Sequence, residues 1–150
     1  MEYSVGHTGR VILLRLDENE DVLGSLESLA SKEKVETGIF FVIGSLKEGS
    51  LVSGAETEDL PLVPIWHHLE KNHEILGIGN IFQMEGQPKI HMHAALARGA
   101  ECLMGCLRKN SKVFLLEEII ILELLGTEAF RERDMRTGLS VLRLRQETDG

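Results

Sequence analysis

Apolar residues recur with two different periods along the chain, and these periods predict one helix among many strands. From Glu20 to Lys32 the apolar residues stand at helical spacing, which predicts an amphipathic helix. Elsewhere the apolar runs are short or alternate with polar residues, as in strands. One helix with a largely antiparallel set of strands predicts an α+β fold, in a single domain spanning residues 1–150. The predicted strands are Val11–Leu16, Gly38–Leu46, Leu51–Gly54, Glu74–Phe82, Lys89–Leu96, Cys102–Leu107, Phe114–Leu125 and Leu139–Arg145.

The connections between these elements are predicted from their glycines, prolines and charges. Lys47–Ser50 has the composition of a hairpin turn between the strands that flank it. Ala55–His73 contains two prolines, which predicts a loop with at most a short strand or turn. Gly126–Gly138 is highly charged and predicts an irregular connection with at most one helical turn. Phe114–Leu125 is rich in β-branched residues and is predicted to be a central strand, whereas Gln146–Gly150 is predicted to fray.

The composition is that of a soluble globular protein, with 43% hydrophobic and 27% charged residues. Phe114–Leu125 is the longest apolar run, and its three glutamates exclude a membrane span. The N-terminus has no basic region followed by an apolar segment, so no signal peptide is expected. Two cysteines are too few for a disulfide framework, so we expect a reducing, cytoplasmic location.

The net charge of −8 argues against a nucleic-acid partner, because an acidic surface repels phosphate backbones. The densest basic stretch, Arg131–Arg136, is interleaved with acidic residues. We interpret it as a solvated or salt-bridged connection. The isolated domain is therefore expected not to bind nucleic acid.

The strongest candidate chemistry is a metal site on the strand Lys89–Leu96. His91 and His93 are two residues apart, so both imidazoles project from the same face of that strand. A cysteine on the following strand, Cys102 or Cys106, would add a thiolate, and imidazole with thiolate suits zinc. The simpler interpretation is two polar histidines on a solvent-exposed face and two ordinary cysteines.

The same region resembles a known domain family. The motif Gly86-x-Pro88-x-x-His91-x-His93-x-x-Leu96 is followed, some eight residues later, by Met104-Gly105-Cys106-Leu107. Together with the strand segments Gly9–Leu16 and Thr37–Leu46 and the later Thr137–Leu139, it resembles the plant- and prokaryote-conserved (PPC) domain. The chain carries no AT-hook and so resembles the stand-alone prokaryotic type.

The resemblance implies a compact PPC-type sandwich and a homotrimer with its histidine cluster near the subunit boundaries. Where the family commonly has Gly-Gly-His-Leu, this chain has Cys106 in the position of the third histidine. The resemblance thus favours Cys106 over Cys102 as the third ligand. The expected metal set is His91, His93 and Cys106, holding zinc or another divalent transition metal, with water or a small-molecule ligand in a fourth position.

Other candidate residues receive simpler interpretations. His67, His68 and His73 are expected to be surface or interface residues, and Trp66 a core or interface anchor. Gly77 and Gly79 form no dinucleotide fingerprint because no helix follows them, so they are expected to mark close approaches.

Three classes of function stay open on the sequence. The first is a metal-binding module with a structural, regulatory or small-ligand-binding role. The second is a metal-dependent enzyme that uses the open coordination position. An obvious general base is missing, although Glu74, Glu85 or Glu101 could come close in the fold. The third is a transcription-related DNA-binding protein, which rests on analogy with the family alone.

Overall fold

The computed structural model describes residues 1–145 and has the predicted α+β fold, with one helix and nine strands in that range. The one helix in this range is not long and apolar enough to cross a membrane. Gln146–Gly150, predicted to fray, lies outside the described residues. The elements are β1 (His7–Asp17), α1 (Val22–Glu33), β2 (Gly38–Ala55), β3 (Pro64–Leu69), β4 (His73–Met84), β5 (Gln87–Arg98), β6 (Glu101–Leu107), β7 (Lys112–Leu125), β8 (Ala129–Arg133) and β9 (Ser140–Leu144).

All nine strands belong to one sheet, in the order β1-β7-β2-β6-β5-β4-β8-β9, with β3 attached to β2. The first half of β2 pairs with β4 and β7, and its second half pairs with β3 and β6. Because β6 pairs with β5 and β5 with β4, the strands β2, β6, β5 and β4 close a ring of pairings. β7 lies between β1 and β2, which confirms that Phe114–Leu125 is a central strand.

The predicted hairpin turn at Lys47–Ser50 is wrong, because β2 continues through it as one strand of 18 residues. The register against β7 shifts on both sides of Leu46, so the strand bends by bulges instead of reversing. Gly44 lies at one of these shifts with a φ of 141°, a conformation that L side chains rarely adopt. The bend lets one strand exchange its partners along its length.

The helix lies close to its predicted place and has well-defined ends. The Asp21 carboxylate accepts a 3.0 Å hydrogen bond from the backbone N–H of Gly24, which caps the N-terminus. Lys34 ends the helix in the left-handed conformation, with φ 56°. Four helical residues enter the core: Val22, Leu23, Leu26 and Ala30. Their burial against the sheet, with β5 as a contact strand, supplies most of the stabilisation of the helix.

The region after β7 also differs from its prediction. Gly126–Gly138 contains the strand β8, followed by one helical turn that is closed by a 2.7 Å hydrogen bond from the Gly138 N–H to the Asp134 carbonyl. β8 contacts β4 through a single parallel pair, Gln83 with Phe130, and pairs antiparallel with β9. Ala55–His73 agrees better with its prediction, since it holds the one short strand β3. The β8–β9 hairpin extends the sheet beyond β4, the strand that pairs with the histidine strand β5.

Candidate metal centre

The strand β5 presents its two histidines on one face and its apolar residues on the other. Ile90, Met92 and Ala94 are buried in the core. His91 is half-buried and His93 is exposed on the opposite face. The alternation expected from the sequence is therefore present, and it leaves both imidazoles free of the core.

The three predicted ligands lie together. His93 on β5 pairs directly with Cys106 on β6. The imidazole rings of His91 and His93 have centroids 5.1 Å apart at an interplanar angle of 78°. One ligand atom from each of the three residues lies within 4.8 Å of the others. The sheet thus brings two imidazole nitrogens and one sulfur to a common point.

The other candidate ligands lie elsewhere. Cys102 is exposed near the start of β6, where it pairs with Ala97. His67 lies 2.8 Å from the Ser53 hydroxyl, and His73 bonds the Lys71 carbonyl at 2.8 Å. In residues 1–145 neither these residues nor His68 joins the cluster.

Arg131 is a residue of this site that the sequence analysis missed. It is only 7% exposed. Its Nη2 donates to the Asn80 side-chain oxygen at 2.7 Å and lies 3.3 Å from Nδ1 of His91, while Nη1 donates to the Ser140 carbonyl at 2.8 Å. The interpretation of Arg131–Arg136 as a solvated or salt-bridged connection is therefore wrong for its first residue. Alternating charges gave no signal of burial, because the contacts of Arg131 are with residues of other strands: Asn80 on β4, His91 on β5 and Ser140 on β9.

The surroundings keep His91 neutral. Burial and the positive charges of Arg131, His93 and Arg108 lower the pKa of His91 to about 4. A guanidinium has no acceptor, so the contact with Arg131 uses the lone pair of Nδ1 and leaves the proton on Nε2. A metal ion that takes either nitrogen must displace or turn this contact.

Burial has the opposite effect on the thiol. It raises the pKa of Cys106 above its ordinary value, although the nearby Arg108 and Arg131 act in the lowering direction. Without a metal the sulfur is therefore protonated at neutral pH. A metal ion would have to displace that proton.

The cluster opens into a cleft of about 940 Å³ between β5, β6, the β2–β3 connection and the β8–β9 turn. Its lining includes both histidines, Cys106, Arg108 and Arg131, and none of its lining residues is an aspartate or glutamate. The guanidinium carbon of Arg108 lies 5.8 Å from the ring centre of Trp66. Trp66 itself is 49% exposed. Of the two roles predicted for it, core residue or interface anchor, the first is therefore wrong.

Comparison with known sequences places the chain in a family. The sequence model of the Plants and Prokaryotes Conserved (PCC) domain matches residues 3–125. The chain belongs to the PCC domain family. This family is the same as the PPC family that the histidine motif resembles. The match ends at Leu125, so β8 and Arg131 lie beyond the part that the PCC model describes.

Solved structures share the fold of this PCC protein over nearly its whole length. A plant- and prokaryote-conserved protein from Pyrococcus horikoshii is 26% identical with a TM-score of 0.82, covering 97% of this chain and 99% of the other. A metal-containing protein from Archaeoglobus fulgidus is 24% identical with a TM-score of 0.80, covering 94% and 98%. A protein from Ralstonia eutropha JMP134, described as putatively DNA-binding, is 24% identical with a TM-score of 0.69, covering 89% and 90%. Comparison with curated proteins finds no match.

Proposed function

We propose that this PCC domain protein binds a divalent transition metal ion, zinc in the first place, through His91, His93 and Cys106. The observation that carries the proposal is the convergence of three ligand atoms within 4.8 Å. In a zinc site with bonds of about 2.0–2.3 Å, the ligand atoms lie roughly 3.4–3.8 Å apart. Small side-chain rotations would close that difference. The metal-containing relative from Archaeoglobus fulgidus is consistent with the proposal.

The donor set fits the chemistry of the ion. Two neutral imidazoles and a thiolate are the borderline-soft ligands that zinc prefers. A low pKa of about 4 leaves His91 free of a competing proton at neutral pH. With three protein ligands the ion keeps a position for water or a small molecule.

A binding role is favoured over catalysis by the contents of the cleft. An open coordination position would suit metal-assisted hydrolysis, which also needs a group to accept a proton. Within residues 1–145 no carboxylate lines the cleft, and its histidines are the proposed ligands. The metal therefore serves a structural, regulatory or ligand-binding role in this proposal, with a metal-dependent enzyme as the alternative.

Self-association into a homotrimer is part of the proposal, and an exposed sheet surface supports it. We define the apolar face by residues on β1, β7, β2 and β4 that are each at least 42% exposed: Val11, Leu13, Phe41, Ile43, Leu76, Ile78 and Ile120. Leu13, Ile120, Phe41 and Ile78 are successive neighbours across these strands. Apolar surface of this extent is typical of a protein interface. Because Ile78 pairs with His93, covering this face would bring a subunit boundary beside the cluster.

A cytoplasmic location completes the proposal. Cys102 and Cys106 are both free thiols, and a thiolate ligand persists best in a reducing compartment.

The proposal is tested by the metal content of the protein purified under reducing conditions without added chelator. We expect about one ion per chain in the wild type by elemental analysis, and loss of the ion in His93→Ala and Cys106→Ser. Cys102→Ser and His73→Ala are matched controls that should keep it, because both residues lie outside the cluster. Equal metal content in all five proteins, with folding verified by circular dichroism, would overturn the proposal.

A further inference from the structure

Among residues 1–145, the cleft beside the cluster is lined by positive charge and by no acidic residue. Arg108 and Arg131 both line it, and none of its lining residues is an aspartate or glutamate. In residues 1–145 neither arginine has a carboxylate oxygen within 4 Å, although seven other ion pairs occur there. This is unusual in a protein of net charge −8, and buried arginines are normally paired.

The two guanidinium groups also have unused donors. The Nε atoms of Arg108 and Arg131 are buried and have no hydrogen-bond partner within residues 1–145. Arg131 is 93% buried in this position, since only 7% of it is exposed. A buried donor that lacks a partner costs about 1–3 kcal/mol, and a negative charge close to the guanidinium would offset part of that cost.

The metal cluster cannot supply the missing negative charge. A Cys106 thiolate would carry one negative charge against two guanidinium groups. A bound divalent ion would then raise the positive charge of the cleft further, because its two charges exceed the one on the thiolate. A negatively charged group from outside residues 1–145 would balance this charge.

We propose that the cleft binds a small molecule through an oxyanion group, a carboxylate or a phosphate, which lies against Arg108 and above the buried charge of Arg131. The part of this inference that places the oxyanion beside a metal rests on the proposed function, whereas the part that rests on the two arginines does not. Arg108 is the contact residue, because it is half-buried and lines the cleft, whereas the terminal nitrogens of Arg131 are held by other groups. A guanidinium fork matches both oxyanions in geometry.

Arg131 acts from the floor of the cleft. Its terminal nitrogens are already held by Asn80 and the Ser140 carbonyl, so its position is fixed before a ligand arrives. Leu62, Met104 and Leu139 line the cleft and would contact the apolar part of the molecule. The volume of about 940 Å³ suits a small molecule.

The test is calorimetric titration of the wild-type protein in two forms, zinc-loaded and chelator-stripped. The probes are succinate, the uncharged diamide of succinate, inorganic phosphate and a short DNA duplex. We expect at least one of the two oxyanions to bind and the diamide not to bind. The stronger of succinate and phosphate then identifies which oxyanion the cleft prefers.

Arg108→Gln is the decisive variant. It should weaken oxyanion binding by about tenfold or more, since hydrogen bonds to charged groups contribute roughly 1.5–3 kcal/mol. Its zinc content should equal that of the wild type. Arg98→Gln, an exposed arginine at the end of the same histidine strand, is the matched control and should bind as the wild type does.

Four results would overturn the inference: no oxyanion binding in either form, equal binding of the diamide, unchanged binding by Arg108→Gln, or duplex DNA binding more tightly than both small oxyanions. If the wild type holds no metal but the stripped protein binds an oxyanion through Arg108, the proposed metal function fails and this inference stands. If the protein binds metal but no oxyanion, this inference fails and the proposed metal function stands.

Discussion

His93 and Cys106 face each other across the β5–β6 ladder. The neighbouring pair, Ala94 with Gly105, shows what fixes that register: a Cβ on Gly105 would lie 2.6 Å from the Val52 carbonyl oxygen of β2. The close approach of β2 therefore holds Cys106 at one place relative to the histidine strand. The cluster is a product of strand pairing, and its ligands do not depend on a loop for their position.

Metal affinity should rise with pH, because the Cys106 thiol must lose its proton to bind. Burial raises the pKa of this thiol, and His91, with a pKa of about 4, has no proton to lose above pH 5. While the thiol is protonated, affinity should increase by about tenfold per pH unit. Competition with a chromophoric chelator between pH 6.5 and 8.5 measures the slope. In Cys106→His the slope should be much smaller over this range, and equal slopes in the two proteins would contradict the assignment of the thiol.

The glycines of β4 give a stability prediction. A Cβ on Gly79 would lie 2.2 Å from Cζ of the buried Phe40 ring and 2.7 Å from the His91 carbonyl oxygen. A Cβ on Gly77 would meet only the flexible methyl end of Met92 at such short range. Gly79→Ala should therefore lower the free energy of unfolding by about 1–3 kcal/mol or more, and Gly77→Ala by less. Urea denaturation of both variants measures this. A larger loss of stability in Gly77→Ala than in Gly79→Ala would show that the surroundings of Gly79 adjust to a Cβ more easily than Met92 does.

These glycines also show how far the sequence could be interpreted. They are predicted to mark close approaches, and the structure shows Phe40 beside Gly79 and Met92 beside Gly77. The period of the apolar residues was sufficient to predict α1, β4, β5 and β7, because each of these elements buries one face and its apolar residues recur with the period of that face. The histidine pair was predictable for the same reason, since two residues apart on a strand means one face.

The errors arose where tertiary contacts decide the local structure. At Lys47–Ser50 the glycine suggested a turn, but the strand bends by bulges and continues along β6 and β3. Arg131 was missed because nothing around it in the sequence is periodic. It is buried by Asn80 and Ser140, which are 51 and nine residues away along the chain. Neither outcome could be obtained from local composition.

A buried carboxyl group predicts a pH-dependent stability. Glu117 on β7 is fully buried, and neither of its oxygens has a hydrogen-bond partner in the part of the chain that the structure describes. Burial raises its pKa from 4.5 to about 8. A folded-state pKa above the unfolded value means that the folded protein binds the proton more tightly than the unfolded chain does. The contribution of this proton to the free energy of unfolding is therefore complete below pH 4.5 and is lost as the pH rises to about 8.

The loss should approach 1.4 kcal/mol per pH unit in the middle of that interval. Denaturant unfolding at pH 5, 6, 7 and 8 measures it. Glu117→Gln should remove this component, because the amide cannot ionise. Glu118→Gln, the exposed neighbour on the same strand, should retain it. Parallel pH profiles for the wild type and Glu117→Gln would show that Glu117 does not carry a raised pKa.

Duplex DNA should not bind the isolated protein usefully at physiological salt. Net charge −8 opposes the counterion release that supplies most non-specific affinity, and the two unpaired arginines of the cleft are too few to reverse it. Mobility-shift assays at 50 and 150 mM salt test this expectation. Sequence-independent binding at 150 mM that is tighter than roughly 10⁻⁴–10⁻⁶ M would support the DNA-binding alternative, which rests on analogy with the family.

The apolar face should hold three copies of the chain together. Phe41 stands near its centre, between Ile120 on β7 and Ile78 on β4, and is 42% exposed in the single chain. Light scattering of the wild type should give about three times 16.7 kDa. Phe41→Glu should shift the protein toward monomer, because burying an unpaired carboxylate in an apolar interface is strongly unfavourable.

Met135 supplies the control for that substitution, since it is 90% exposed in the β8–β9 turn, away from the apolar face. Met135→Glu adds the same charge and should leave the mass unchanged. If the wild type is a monomer at micromolar concentration, or if both variants assemble as the wild type does, the apolar face is not the subunit interface. The metal ligands would be unaffected by that result, because His91, His93 and Cys106 all come from one chain.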